Sequence, residues 1–237
     1  MLTLSIRDQA FAHCEYSNNP TPPVSFSKNV RWDRTAPASA KTIYTDAEIR
    51  NAPAGSIVWL IEPLKDCSFT ALAESAAHFR EIWTCDANLL AAIPNGRFVP
   101  FGGCWIPPQE RWVWTKTKGV STIASNKRGG IGYDLRHKVI AALGSKIDAY
   151  GIQYEPLVFK IGALRDYRFQ IVIENVCGII VVHDLEDIEK VLPACTAEFY
   201  ESKLKAVVDN YERAKKYYLA EDWLFETQPD LIKGLAI

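Results

Sequence analysis

Apolar runs of strand length alternate with stretches of helical spacing through the first half of the chain. Residues 57–61 (IVWLI) contain no polar position, the pattern of a strand buried on both faces. Residues 70–80 follow with Leu72, Ala73, Ala76 and Phe79 on one helical face, and residues 82–85 again read as a strand. Asp86 stands where a helix N-cap belongs, ahead of a short helix ending at Ala92, and residues 98–101 form the next strand. Strands separated by helices predict a parallel sheet. Upstream, residues 17–41 are rich in Ser, Asn, Pro and Thr and predict loop around one short strand at most. Thr45-Asp46-Ala47-Glu48 has capping-box spacing for a short helix stopped before Pro53 and Gly55.

The segment from Trp105 to Lys118 reads as a connection, and the alternation restarts at Val120. Two Rossmann-like lobes with a cleft between them are therefore expected, divided as residues 1–116 and 117–237. In the second half Asp184 caps a helix with Leu185, Ile188, Val191 and Leu192 inward. Thr196 caps a longer helix on which Phe199, Leu204, Val207, Val208, Tyr211 and Tyr218 keep helical spacing, and this terminal helix is expected to pack back across the lobes.

Composition narrows the function. The 237 residues are 48% hydrophobic with a net charge of −1, ample for a sizeable core and without the basic stripe of a nucleic-acid binder. The six cysteines form no CxxC pair and the four histidines no ligand-like cluster, so no metal site is expected. The N-terminus lacks the basic start and apolar core of a leader, and no apolar run approaches the roughly 20 residues that span a bilayer. A cytoplasmic setting with buried, reduced thiols is the expectation. Of the seven tryptophans, Trp59 and Trp83 lie in strand-like runs and are expected in the core; Trp105 alone lies near the expected cleft.

Two blocks carry candidate chemistry. Residues 121–142 (STIASNKRGGIGYDLRHKVIAA) run from an apolar strand through a polar, Gly-rich loop into a helix bearing Arg136, an arrangement suited to an anion such as a diphosphate. Residues 165–176 (RDYRFQIVIENV) end an apolar strand on Glu174 and Asn175, where the ligand crevice of an open α/β sheet lies. Each residue also has an ordinary structural role. Arg136 could pair with Asp134 or water, Ser125 and Asn126 could cap the turn after them, Glu174 and Asn175 could face solvent, and Glu62 could be a solvated loop carboxylate.

Together the two blocks resemble the alpha-1,3-fucosyltransferase family, in which a strand-SN-loop-Arg-helix element precedes a strand ending in a Glu-Asn pair. The likeness extends to residues 57–63 (IVWLIEP), 101–106 (FGGCWI) and 178–187 (GIIVVHDLED), with soluble bacterial and viral-type members the nearer in character. The resemblance implies a GT-B-type fold of two Rossmann-like lobes and metal-independent, inverting transfer of fucose from GDP-fucose to a saccharide hydroxyl. It implies no cofactor, Glu62 as the base, and donor contacts from Ser125, Asn126, Arg136, Glu174 and Asn175. The implied partners are a nucleotide sugar and a saccharide acceptor, without nucleic acid or a membrane span; oligomeric state is left open.

The departure from the family lies after Asn175. The Thr-Glu-Lys donor-binding motif expected there is absent, and Gly178 already begins what resembles a later strand, so a strand-helix unit of roughly 30 residues is missing. A parallel neighbour needs a crossover of about a dozen residues, which 174–178 cannot supply. Residues 169–182 are therefore expected to run on as one extended or kinked strand, with an antiparallel hairpin as the other arrangement. The same gap admits an alternative function, a catalytically inactive remnant acting as a saccharide-binding or structural protein.

Overall fold

The computed structural model describes residues 1–8, 27–61, 66–100, 106, 108–129, 131–173 and 184–237. The chain is α/β, and its described strands form two wholly parallel sheets, one of six strands and one of three. It divides into two compact units, one made of Met1–Pro108 with Arg213–Ile237 and the other of Gln109–Glu212.

The first sheet has the order β2-β1-β3-β4-β5-β6, with β1 (Leu2–Arg7), β2 (Val30–Asp33), β3 (Ile43–Thr45), β4 (Ile57–Leu60), β5 (Glu81–Thr84) and β6 (Gly96–Phe98). Side chains of successive strand residues point to opposite faces, so an all-apolar run such as β4 needs cover on both. Val58 and Leu60 pack with Leu72, Ala76, Leu89 and Ile93, from the segment holding α1 (Asp66–Glu74) and α2 (Ala87–Ala92). Ile57, Trp59 and Ile61 join the other face with Trp32 and Trp83. Asp86 caps α2 by accepting from the amides of Asn88 and Leu89, as its position predicted. The helix expected over 70–80 starts earlier, at Asp66, and gives way to a 3-10 turn at Ala76–His78. Cys85 is exposed, not buried as expected, because it lies just past the end of β5.

In the second unit the order is β8-β7-β9, with β7 (Lys118–Ile123) between β8 (Asp148–Tyr150) and β9 (Tyr167–Ile171). Val120 packs with Val139 and Leu143 of α3 (Ile131–Leu143) and with Ile188 of α4 (Leu185–Val191). Ser121, its neighbour on β7, donates to the Ala163 carbonyl at 2.6 Å. Asp184 caps α4 through the Asp187 amide, and Thr196 accepts from the Phe199 amide at the start of α5 (Ala197–Ala214). Phe199 and Tyr200 of α5 both pack on Phe169, with ring centroids 6.1 Å away in each pair.

The final helices, α6 (Ala220–Thr227) and α7 (Pro229–Leu235), belong to the first unit, whereas the division expected from the sequence places residues 117–237 in one lobe. Ala220, Leu224, Ile232 and Leu235 fill the tryptophan-bearing face of the first sheet, and among the described residues no other helix joins that core cluster. Arg97 ties this end further: it grips Glu81 at 2.6 and 2.8 Å and donates to Gln228 at 3.1 Å.

Burial acts to raise the Glu81 carboxyl, but the bonds from Arg97 and Trp83 outweigh it and hold the pKa below the ordinary glutamate value. A folded value below the unfolded one means that Glu81 stabilises the protein above the ordinary glutamate range and loses that contribution as pH falls through the folded value. Glu81→Gln should therefore flatten the acid limb of stability measured by urea unfolding across pH. An acid limb identical to wild type would contradict this account.

Candidate functional site

Open α/β sheets bind ligands outside the carboxyl ends of their strands where the strand order reverses. In the second unit the chain moves from β7 to β8 on one side and then returns to β9 on the other, so the reversal lies between β7 and β9. Ser125 and Asn126 follow the carboxyl end of β7, and Ile173 follows that of β9. Arg136, from the second turn of α3, donates through Nε to the Ile173 carbonyl at 2.7 Å. The structure thus brings Ser125, Asn126 and Arg136 to one end of one sheet. Glu62, Glu174, Asn175 and Trp105 lie outside the described residues, as does the 174–182 part of the strand expected over 169–182; of that strand the described part ends at Ile171.

Ser125 is half-buried and Asn126 exposed. Ser125 accepts from the Lys127 amide at 3.4 Å, a weak form of the turn-capping role. Gly129, at φ +80°, donates its amide to Asp134, which turns the chain into α3. Lys127 and Arg136 both lie over the Tyr133 ring, at 5.6 and 5.3 Å from its centroid. Arg128 donates to Gln153 at 3.2 Å. Three cations therefore border the carboxyl end of this sheet. Cationic side chains bordering an exposed loop suit a multiply charged oxyanion such as diphosphate.

The segment after β8 supplies groups that the sequence reading missed. Gly151 has φ +126°, and a Cβ there would lie 1.9 Å from the Ala124 carbonyl oxygen, one residue before Ser125. His137 and Tyr154 are bonded to each other beside the same loop. The available signals were the Tyr-Gly pair closing residues 148–151 and a histidine next to Arg136, neither of which forms a motif by spacing alone. Nearer the sheet's amino end, Tyr167 donates to Asp148 and is bonded to Tyr150, both at 2.6 Å. Burial, then Asp148 and Tyr150, push its phenol far above the ordinary range, which suits a structural network.

In the first unit, Asp46 stands in the left-handed region at φ 44° and accepts from the Ile61 amide at 3.0 Å. The residue immediately before Glu62 is thereby held at the carboxyl end of β4.

No family model and no curated protein matches the chain. Among the described residues no group of three or more His, Cys, Asp or Glu is placed to hold a metal ion, and no helix is long and apolar enough to cross a membrane.

Proposed function

We propose that the protein is a fucosyltransferase-like, inverting glycosyltransferase of the GT-B type, with the carboxyl end of the second sheet as its donor-diphosphate cradle. The observation that carries this reading is the Arg136 to Ile173 bond, which joins the two sequence blocks at a strand-order reversal. Ile173 leads directly into Glu174 and Asn175.

In this reading Glu62 takes the proton of the acceptor hydroxyl as its oxygen attacks the anomeric carbon of GDP-fucose. The bond from that carbon to the diphosphate oxygen breaks, and the electron pair leaves on GDP. Arg136, Lys127 and Arg128 stabilise that charge, and attack opposite the leaving group inverts the centre. Ser125 and Asn126 complete the diphosphate contacts, while Glu174 and Asn175 accept hydrogen bonds from sugar or ribose hydroxyls.

Titration calorimetry with GDP-fucose tests the site, and wild-type protein should bind with measurable heat. Arg136→Ala should lose about 1.5–3 kcal/mol of donor affinity, the range for a hydrogen bond to a charged group. Unchanged affinity strikes Arg136 from the site, and absence of wild-type binding removes the reading.

One observation favours a second reading, binding without turnover: among the described residues β9 ends the second sheet at three strands. A transfer assay over a panel of saccharide acceptors separates the two, since released GDP marks the enzyme and donor heat without release marks the remnant.

A further inference from the structure

His137 follows Arg136 on α3 and joins the loop after β7 to the segment after β8. It is 6% exposed. Its Nε2 lies 3.2 Å from the Lys127 main-chain carbonyl, and its Nδ1 lies 2.6 Å from the Tyr154 hydroxyl. A carbonyl oxygen can only accept, so Nε2 carries a proton and donates to Lys127. The His137 and Tyr154 rings also stack, with centroids 5.9 Å apart and 26° between planes. One imidazole therefore holds residue 127, between β7 and α3, and residue 154, beyond β8. Arg128 and Gln153 tie the same two segments a second time.

An apolar side chain would fill this buried place without the cost of desolvating a polar ring. What the imidazole adds is orientation. Across a planar trans peptide the carbonyl and the next N–H point in opposite directions. With the Lys127 carbonyl turned onto His137, the Arg128 N–H is directed away from the ring, and residue 128 is exposed. A single bond thus sets the direction of a main-chain donor in the polar loop between Ser125 and Gly129.

We propose that His137, with Tyr154, is the positioning residue of this loop, presenting the Arg128 N–H and the Ser125 and Asn126 side chains to the diphosphate of a nucleotide. The inference rests on the donor-site reading above and adds two residues and one main-chain donor to it. His137 acts through the loop and does not touch the ligand.

The test is calorimetric binding of GDP and of inorganic pyrophosphate to wild type, His137→Leu, His137→Gln and Tyr154→Phe, with urea unfolding of each. His137→Leu should weaken both ligands by about tenfold, the diphosphate being common to both, and His137→Gln, which restores a donor near Nε2, should recover most of that loss. Tyr154→Phe should weaken both about threefold. A merely structural histidine would lower unfolding stability in all three variants and leave affinity of the folded protein unchanged. Wild-type binding undiminished in His137→Leu overturns the proposal and leaves the donor site standing. No wild-type binding of either probe removes both. Should His137→Leu not fold, Tyr154→Phe decides, and unchanged affinity there overturns the proposal.

Discussion

Replacing Trp59 with alanine is expected to destabilise the first unit by about 3–5 kcal/mol, the cost of emptying a large aromatic site in a packed core. Trp59 sits at the centre of β4 with 1% of its surface exposed. Its ring lies 6.0 Å from that of Trp32 and 6.3 Å from that of Trp83, across neighbouring parts of the same sheet face. Leu224, Ile232 and Leu235 close over this cluster, so the hole would open between sheet and helices, where rigid backbone on both sides limits collapse. A loss of this size is a large fraction of the roughly 5–15 kcal/mol that holds a domain folded. Urea unfolding followed by far-UV circular dichroism reads it, and Trp59→Phe should cost much less. A loss below about 1 kcal/mol for the alanine variant would mean that the face relaxes into the gap, contrary to the packing described.

Gly151→Ala is expected to destabilise the second unit by on the order of 3 kcal/mol and to disturb the loop that begins at Ser125. Two effects act together. An L residue at φ +126° is strained wherever it stands, and here the new methyl would meet the Ala124 carbonyl oxygen at 1.9 Å. That oxygen belongs to main chain, so it cannot swing aside as a side chain does. Relief requires β7 and the segment after β8 to part, against the Ala124 amide's bond to the Tyr150 carbonyl at 2.9 Å. Gly129→Ala is the internal comparison: φ is +80° there, but nothing lies within 4 Å of the added methyl, so only the left-handed conformation costs, about 1–2 kcal/mol. On the donor-site reading proposed above, calorimetric binding of GDP should also fall in Gly151→Ala, because displacement of Ala124 moves Ser125 and Asn126. Equal stability losses in the two variants would refute the close-approach account.

Much of the element pattern was legible because local rules govern it. The buried strand at β4, the Asp86, Asp184 and Thr196 caps, and the strand, loop and helix from β7 to α3 follow from apolar periodicity and side-chain bonds within a few residues. Strands β1, β3 and β8 were not anticipated. β3 and β8 are three residues each, too short to show a period. The candidate site was legible as far as Ser125, Asn126 and Arg136. Gly151, His137 and Tyr154 were not, because their contacts depend on which backbone or loop lies opposite.

The sequence by itself determined an α/β chain with parallel strands, since an apolar run without alternation needs helical cover on both faces and capping residues mark where that cover begins. Only the tertiary structure decided which cover goes where. It returns residues 213–237 to the first unit, since the Trp32, Trp59 and Trp83 face gains its closing layer from the far end of the chain. It likewise sets β7 between β8 and β9 and so creates the reversal at which Arg136 meets Ile173. Strand order rests on contacts between residues far apart along the chain, and no local pattern of apolar and polar positions encodes it.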